Sequence, residues 1–162
     1  MELFEQNYTV QSIGQAIGYE PKRISDWTNR GLIAGTGGGG SKGRARTYSF
    51  VQLMQIATAT SAMDKLSYQP AQAFELAGHF ASVAADGRKP GLPFHPRLGT
   101  TYLIACDGVV SVQLSEDGTI KPINSEAMAI TALNVTAVFA KVAAALGYDA
   151  GKVLNEAYPE YA

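Results

Sequence analysis

One cysteine, two histidines and one tryptophan in 162 residues leave little material for several kinds of chemistry. A lone thiol, Cys106, excludes an intrachain disulfide, a CxxC redox pair and a cysteine-rich zinc cluster within one chain. Charge is sparse as well: 17% of residues are charged against 46% hydrophobic, a globular composition far from that of disordered chains. No apolar run approaches the ~18 residues that span a bilayer. Where a secretory leader would place basic and then apolar residues, the first ten positions hold Glu2, Glu5, Gln6 and Asn7. The expectation is an intracellular, cytoplasmic protein with no membrane contact.

A catalytic constellation is also missing. His79 falls on a mostly apolar stretch and His95 among prolines, both structural or solvent-exposed settings rather than those of a ligand or general base. Cys106 beside a turn reads as a small hydrophobe, with thiol sensing as the alternative. The run Gly37 to Gly40 has no Gly-Lys-Ser/Thr after it and is not a phosphate-binding loop. No enzyme activity, cofactor or metal is expected.

What the chain does have is uneven charge. Its formal net charge is −1, yet residues 20–48 carry six bases (Lys22, Arg23, Arg30, Lys42, Arg44, Arg46) against two acids, +4, while residues 99–162 carry three bases against seven acids, −4. Asp86 to Pro96, with three prolines and two glycines, forbids a continuous helix or central strand. The expected division is a domain over 1–85, a Pro/Gly-rich linker over 86–98 and a second, small α+β domain over 99–162 that dimerises or senses a ligand.

In the first half, Thr9 suits the N-cap of a helix over Val10 to Ile17, which Gly18 ends. Pro21 suits the first turn of a second helix running to Arg30, with Ile24 and Trp27 facing inward and Gly31 beyond its end. Two helices across a tight turn form a helix-turn-helix, whose second helix enters a major groove. Leu32-Ile33 and Thr47 to Phe50 flank the glycine-rich tip and predict a basic β-hairpin, a wing. Ser49 caps a longer helix ending near Met63. Pro70 opens another with an apolar stripe of Ala73, Phe74, Ala77, Phe80, Ala81 and Ala84.

In the second half the apolar period changes to two. Thr101 to Cys106 and Val109 to Leu114 are joined by Asp107-Gly108, the pair a type I′ turn favours. In that register Thr101, Leu103 and Ala105 face Leu114, Val112 and Val110. A third strand is expected near Thr119 to Asn124, after Asp117-Gly118. Ala127 to Leu133 fits a strand or a helix start, with strand preferred. From Asn134, an N-cap, Val135, Val138, Phe139, Val142 and Leu146 predict a helix covering the hairpin and ending at Gly147.

Tyr8-Thr9-Val10, Ile17-Gly18-Tyr19, Ile24, Trp27, Arg30 to Ile33 and Arg46 to Ser49 together resemble the winged helix-turn-helix of the MerR family of bacterial regulators, over residues 8 to 85. Where that family has Arg-Tyr-Tyr in its recognition helix, this chain has Ser25, Asp26 and Trp27, and residues beyond 86 do not resemble it. The resemblance implies an α+β protein with an N-terminal winged helix-turn-helix that binds double-stranded DNA in transcription regulation, as a homodimer, with an unknown small-molecule effector possible. Lys22, Arg23 and Ser25 are the candidates for base contact. Arg30 suits backbone; Lys42, Arg44 and Arg46 suit flanking phosphates or a minor groove, with Tyr48 bonding phosphate or packing. Gln11 and Ser12, opening the first helix, suit a phosphate. The alternative reading is a phage-type DNA-architectural or packaging factor, similar to an excisionase or terminase small subunit; a protein-interaction adaptor is a further rival.

Overall fold

Thr9 and Ser49 open their helices in the same way. The Thr9 hydroxyl accepts from the Ser12 amide (3.1 Å) while Ser12 Oγ accepts from the Thr9 amide (3.0 Å). Ser49 and Gln52 repeat the exchange at 3.2 and 2.8 Å. Each capping box satisfies two amides that a helix start otherwise leaves open. In the computed structural model, which describes residues 2–35 and 45–162, these boxes start α2 (Val10–Ile17) and α4 (Phe50–Leu66), after a short α1 (Glu2–Glu5). Pro21 and Pro70 occupy the first turns of α3 (Pro21–Asn29) and α5 (Pro70–Ala81). The apolar stripe of α5 is buried as expected except at Ala84, which lies exposed beyond the helix.

The second half contributes β1 (Thr100–Cys106), β2 (Val109–Ser115), β3 (Ile130–Asn134), α6 (Val135–Ala145) and α7 (Ala150–Ala157). The fold is mixed α+β with one three-stranded antiparallel sheet in the order β2-β1-β3. Thr101 pairs with Leu114, Leu103 with Val112 and Ala105 with Val110, the expected register. Asp107 and Gly108 both have positive φ, 46° and 83°, as a type I′ turn requires. Asn134 ends β3 and caps α6, its side chain accepting from the Ala137 amide at 2.9 Å.

The third strand does not form where Asp117-Gly118 placed it. Residues 119–124 carry no strand; Lys121 instead gives its carbonyl to Gln113 Nε2 (2.8 Å), and the Asp107 carboxylate accepts the Met128 and Ala129 amides at 2.9 and 3.0 Å. This excursion returns the chain to the far edge, where β3 pairs with β1. The tip and most of the basic arm of the expected wing hairpin lie outside the described residues. Of its described flanks, Tyr48 exchanges both backbone hydrogen bonds with Tyr8, at 2.8 Å each, and the chain leaving α3 is gripped by two glutamines of α4: Gln55 Oε1 accepts from the Ala34 amide and Gln52 Nε2 donates to the Ala34 carbonyl, at 2.9 and 3.1 Å.

One apolar cluster runs from Leu3 through Ile13, Ile24, Leu53 and Phe80 to Phe139, Leu154 and Tyr158. The segment expected as a linker is packed against it. Leu92 is buried within the cluster, His95 is buried against Asn155 and Tyr161, and Lys89 donates from its backbone to Tyr158 Oη. Truncating any fully buried leucine or isoleucine here to alanine would cost about 2–5 kcal/mol.

Candidate nucleic-acid interface

Gly14 sets the angle between α2 and α3. A methyl group there would lie 2.5 Å from the Tyr19 carbonyl oxygen and 3.4 Å from the Pro21 ring, so the turn closes only over a bare Cα. Gly18 follows in the left-handed conformation, and the amides of Gly18 and Tyr19 both bond the Gly14 carbonyl, at 2.9 and 3.0 Å. Ile24, Trp27 and Thr28 then turn inward. Trp27 is 3% exposed and packs on Phe74 at 5.3 Å and on Tyr19 at 5.6 Å between ring centroids. It is core, as its position in the sequence implied.

With those three residues buried, helical geometry points Lys22, Asp26 and Asn29 outward, at i, i+4 and i+7. Ser25 and Arg30 border that row on its two sides. Lys22, Asp26, Asn29 and Arg30 are exposed and Ser25 is half-buried. Arg23 lies on the flank, its guanidinium over the rings of Tyr19 (4.9 Å) and Trp27 (5.3 Å), which fixes its direction. Tyr19 Oη in turn donates to Asp64 Oδ1 near the end of α4. Burial, this bond and the Asp64 charge together push the Tyr19 pKa up to about 12, while Arg23 pulls the other way.

Arg46, half-buried, donates from Nη1 to Asn29 Oδ1 at 3.4 Å. That contact brings the one described base of the expected wing to the C-terminal end of α3, beside Arg30. Lys42 and Arg44 lie outside the described residues. Asn29 and Asp26 are not among the contacts expected from the sequence, although their spacing from Lys22 was the available signal.

Two candidates turn away from any ligand. Ser12 donates its hydroxyl proton to the Thr9 carbonyl (3.0 Å) while accepting from the Thr9 amide; the capping box occupies it, leaving Gln11 exposed in that first turn. Tyr48 is 1% exposed and bonds Thr28 Oγ1 at 2.7 Å. It packs, and the phosphate contact is withdrawn: its hydroxyl serves as the polar end of a core ring.

Elsewhere, a cleft of about 480 Å³ lies between Phe4 of α1, Ser49 to Val51 of α4, Lys89 to Leu92 and the end of α7 at Glu156 and Ala157. Among the described residues no group of three or more His, Cys, Asp or Glu could hold a metal ion, and no helix is long and apolar enough to cross a membrane. No protein-family model matches the chain, and no curated protein matches it in sequence.

Proposed function

We propose that the chain binds double-stranded DNA in the manner of a MerR-like regulator, with the outward face of α3 in a major groove and Arg46 on the neighbouring backbone. The observation that carries this reading is the sidedness of α3. Its apolar residues are all inward, and the exposed remainder is a row of base-reading side-chain types with Arg23 and Arg30 along one side and Ser25 along the other. Asn29, held by Arg46, links that row to the last base of the basic segment.

Transcription regulation as a homodimer extends the same reading. One helix and a short basic arm bury too little surface for tight specific binding, and two copies on one duplex gain effective concentration. A small-molecule effector has a place to act in the 480 Å³ cleft, because Ser49 and Phe50 line it only three and four residues beyond Arg46. The size and mixed lining are those of ordinary ligand sites.

Fluorescence anisotropy with mixed-sequence duplex DNA tests the proposal. If Lys22, Arg23, Arg30 and Arg46 each neutralise one phosphate, the log–log salt slope is about −3.6, and raising salt from about 50 to 200 mM weakens binding roughly 100-fold. Lys22→Ala with Arg30→Ala should flatten the slope by about 2. Affinity indifferent to salt, or to that double substitution, would defeat the reading.

A further inference from the structure

We infer that β3 is the joint of a homodimer, pairing antiparallel with β3 of a second copy about a two-fold axis at Ala132; this rests on the homodimer of the reading above and names its surface. β3 is an edge of the sheet. The Asp107 amide donates to the Ala129 carbonyl at 3.2 Å, which sets the alternation of the ladder. Ala129, Thr131 and Leu133 turn their backbone groups toward β1, and Ile130, Ala132 and Asn134 turn theirs outward. Among the described residues nothing bonds the outward groups of Ile130 and Ala132. Sheet edges are ordinarily blunted by a lysine, a proline or a bulge. β3 has none of these, and positions 127–140 hold no charged residue, in a half of the chain with seven acids against three bases. Met128 and Ile130, 95% and 45% exposed, add apolar side chains at the start of the strand.

An outward residue at the centre of the strand makes this edge complementary to itself. With the axis at Ala132, each Ala132 donates to and accepts from Ala132 of the partner subunit, and the Asn134 amide donates to the carbonyl of the partner's Ile130. Small side chains meet on the axis, and no charge faces its own kind. The other edge of the sheet fails that condition. β2 centred on Val112 in the same way would set Asp107 against Asp117 of the partner subunit, beside Glu116, with like charges in register. Pairing β2 of one copy with β3 of the next would leave a free edge at each end and grow without closing. The β3 joint closes after two copies and merges their sheets into one.

Sedimentation velocity of the full chain without DNA, over a range of concentrations, tests this. Wild type should sediment as a dimer, and exchange of its Ala132 amide should slow as concentration rises. Ala132→Pro removes an amide of the joint but none of the ladder to β1; it should halve the mass at unchanged circular dichroism. Ala132→Lys and Ala132→Glu should each be monomeric alone, because like charges meet on the axis. An equal mixture of the two should recover the dimer, which requires position 132 to face itself. Dimers that survive every folded variant, an Ala132 amide whose exchange ignores concentration, or wild-type species that grow beyond two copies would overturn the joint and leave the DNA-binding reading standing. A wild type monomeric throughout would overturn the joint and the homodimer together, while salt-dependent DNA binding is judged by its own measurement.

Discussion

Arg23, in the first turn of α3, and Arg88, in the Pro/Gly-rich segment after α5, both lay a guanidinium over aromatic rings, at 4.9 and 5.3 Å for Arg23 and 5.0 Å over Phe80 for Arg88. Their surroundings differ in every other respect. Arg88 is 2% exposed and donates to four carbonyls: Nη1 to Phe80, Lys89 and Leu92, Nη2 to Val83, at 2.6–3.2 Å. Two of those carbonyls lie at or just past the end of α5, so the side chain closes that helix and folds the following loop around itself. Burial pulls its pKa below the ordinary guanidinium value, with Tyr158 opposing. Arg23 is exposed, and its guanidinium donates to no carbonyl among the described residues. The same residue over the same kind of ring is architecture in one region and an exposed cation in the other; what separates them is whether backbone acceptors among the described residues surround it.

Stability should divide the two arginines. Arg88→Met keeps the stem and takes the guanidinium from four carbonyls, of which those of Phe80 and Lys89 keep the Gly91 and Leu92 amides, an expected loss of about 2–3 kcal/mol in urea unfolding. Arg88→Lys should recover only part of it, since an ammonium cannot fork among four acceptors. Arg23→Met should change stability by less than about 1 kcal/mol. Equal losses at the two sites would erase the contrast.

Charge in the sequence does not distinguish these roles, and the reason is physical. The features legible from the chain were those with local causes. Thr9, Pro21, Ser49, Pro70 and Asn134 mark helix starts through bonds or dihedrals within four residues, and Asp107-Gly108 fixes its hairpin register through its own backbone. The illegible ones depend on distant partners. Arg46 meets Asn29 across 17 positions, and Tyr48 is buried through Tyr8 and Thr28. Asp117-Gly118 does turn the chain, but a turn says nothing about which edge of the sheet receives the next strand. The terminal helix α7 had a local signal that went unread: Asp149 accepts from the Lys152 amide at 2.8 Å, an ordinary N-cap.

Tyr48 offers an intermediate test, because it stands between the two regions as a buried residue in a segment expected to meet DNA. Tyr48→Phe removes the bond to Thr28, whose hydroxyl still donates to the Ile24 carbonyl (2.8 Å). The expected loss is about 1 kcal/mol of stability, with the DNA affinity of the folded protein unchanged. Weakened DNA binding at full stability would return Tyr48 to the contact surface and narrow the difference between the regions.

The smallest effect sharpens the contrast most directly, since it reads Arg23 electrostatically. Tyr19 has a folded-state pKa of about 12 against the ordinary 10.0, raised by burial and Asp64 and lowered by Arg23. A phenol whose pKa rises on folding stabilises the fold while it keeps its proton. That contribution is therefore whole below pH 10 and is lost as pH climbs toward 12. Tyr19 is only half-buried, so solvent screening holds the contribution at neutral pH below about 1 kcal/mol. In a tyrosinate absorbance titration referenced to Tyr19→Phe, Asp64→Asn should bring this ionisation down, whereas Arg23→Met should delay it further. A guanidinium that had swung away from the ring would leave the titration of Arg23→Met where the wild type has it, and the pairing of Arg23 with Arg88 as two cations on aromatic faces would lose its basis.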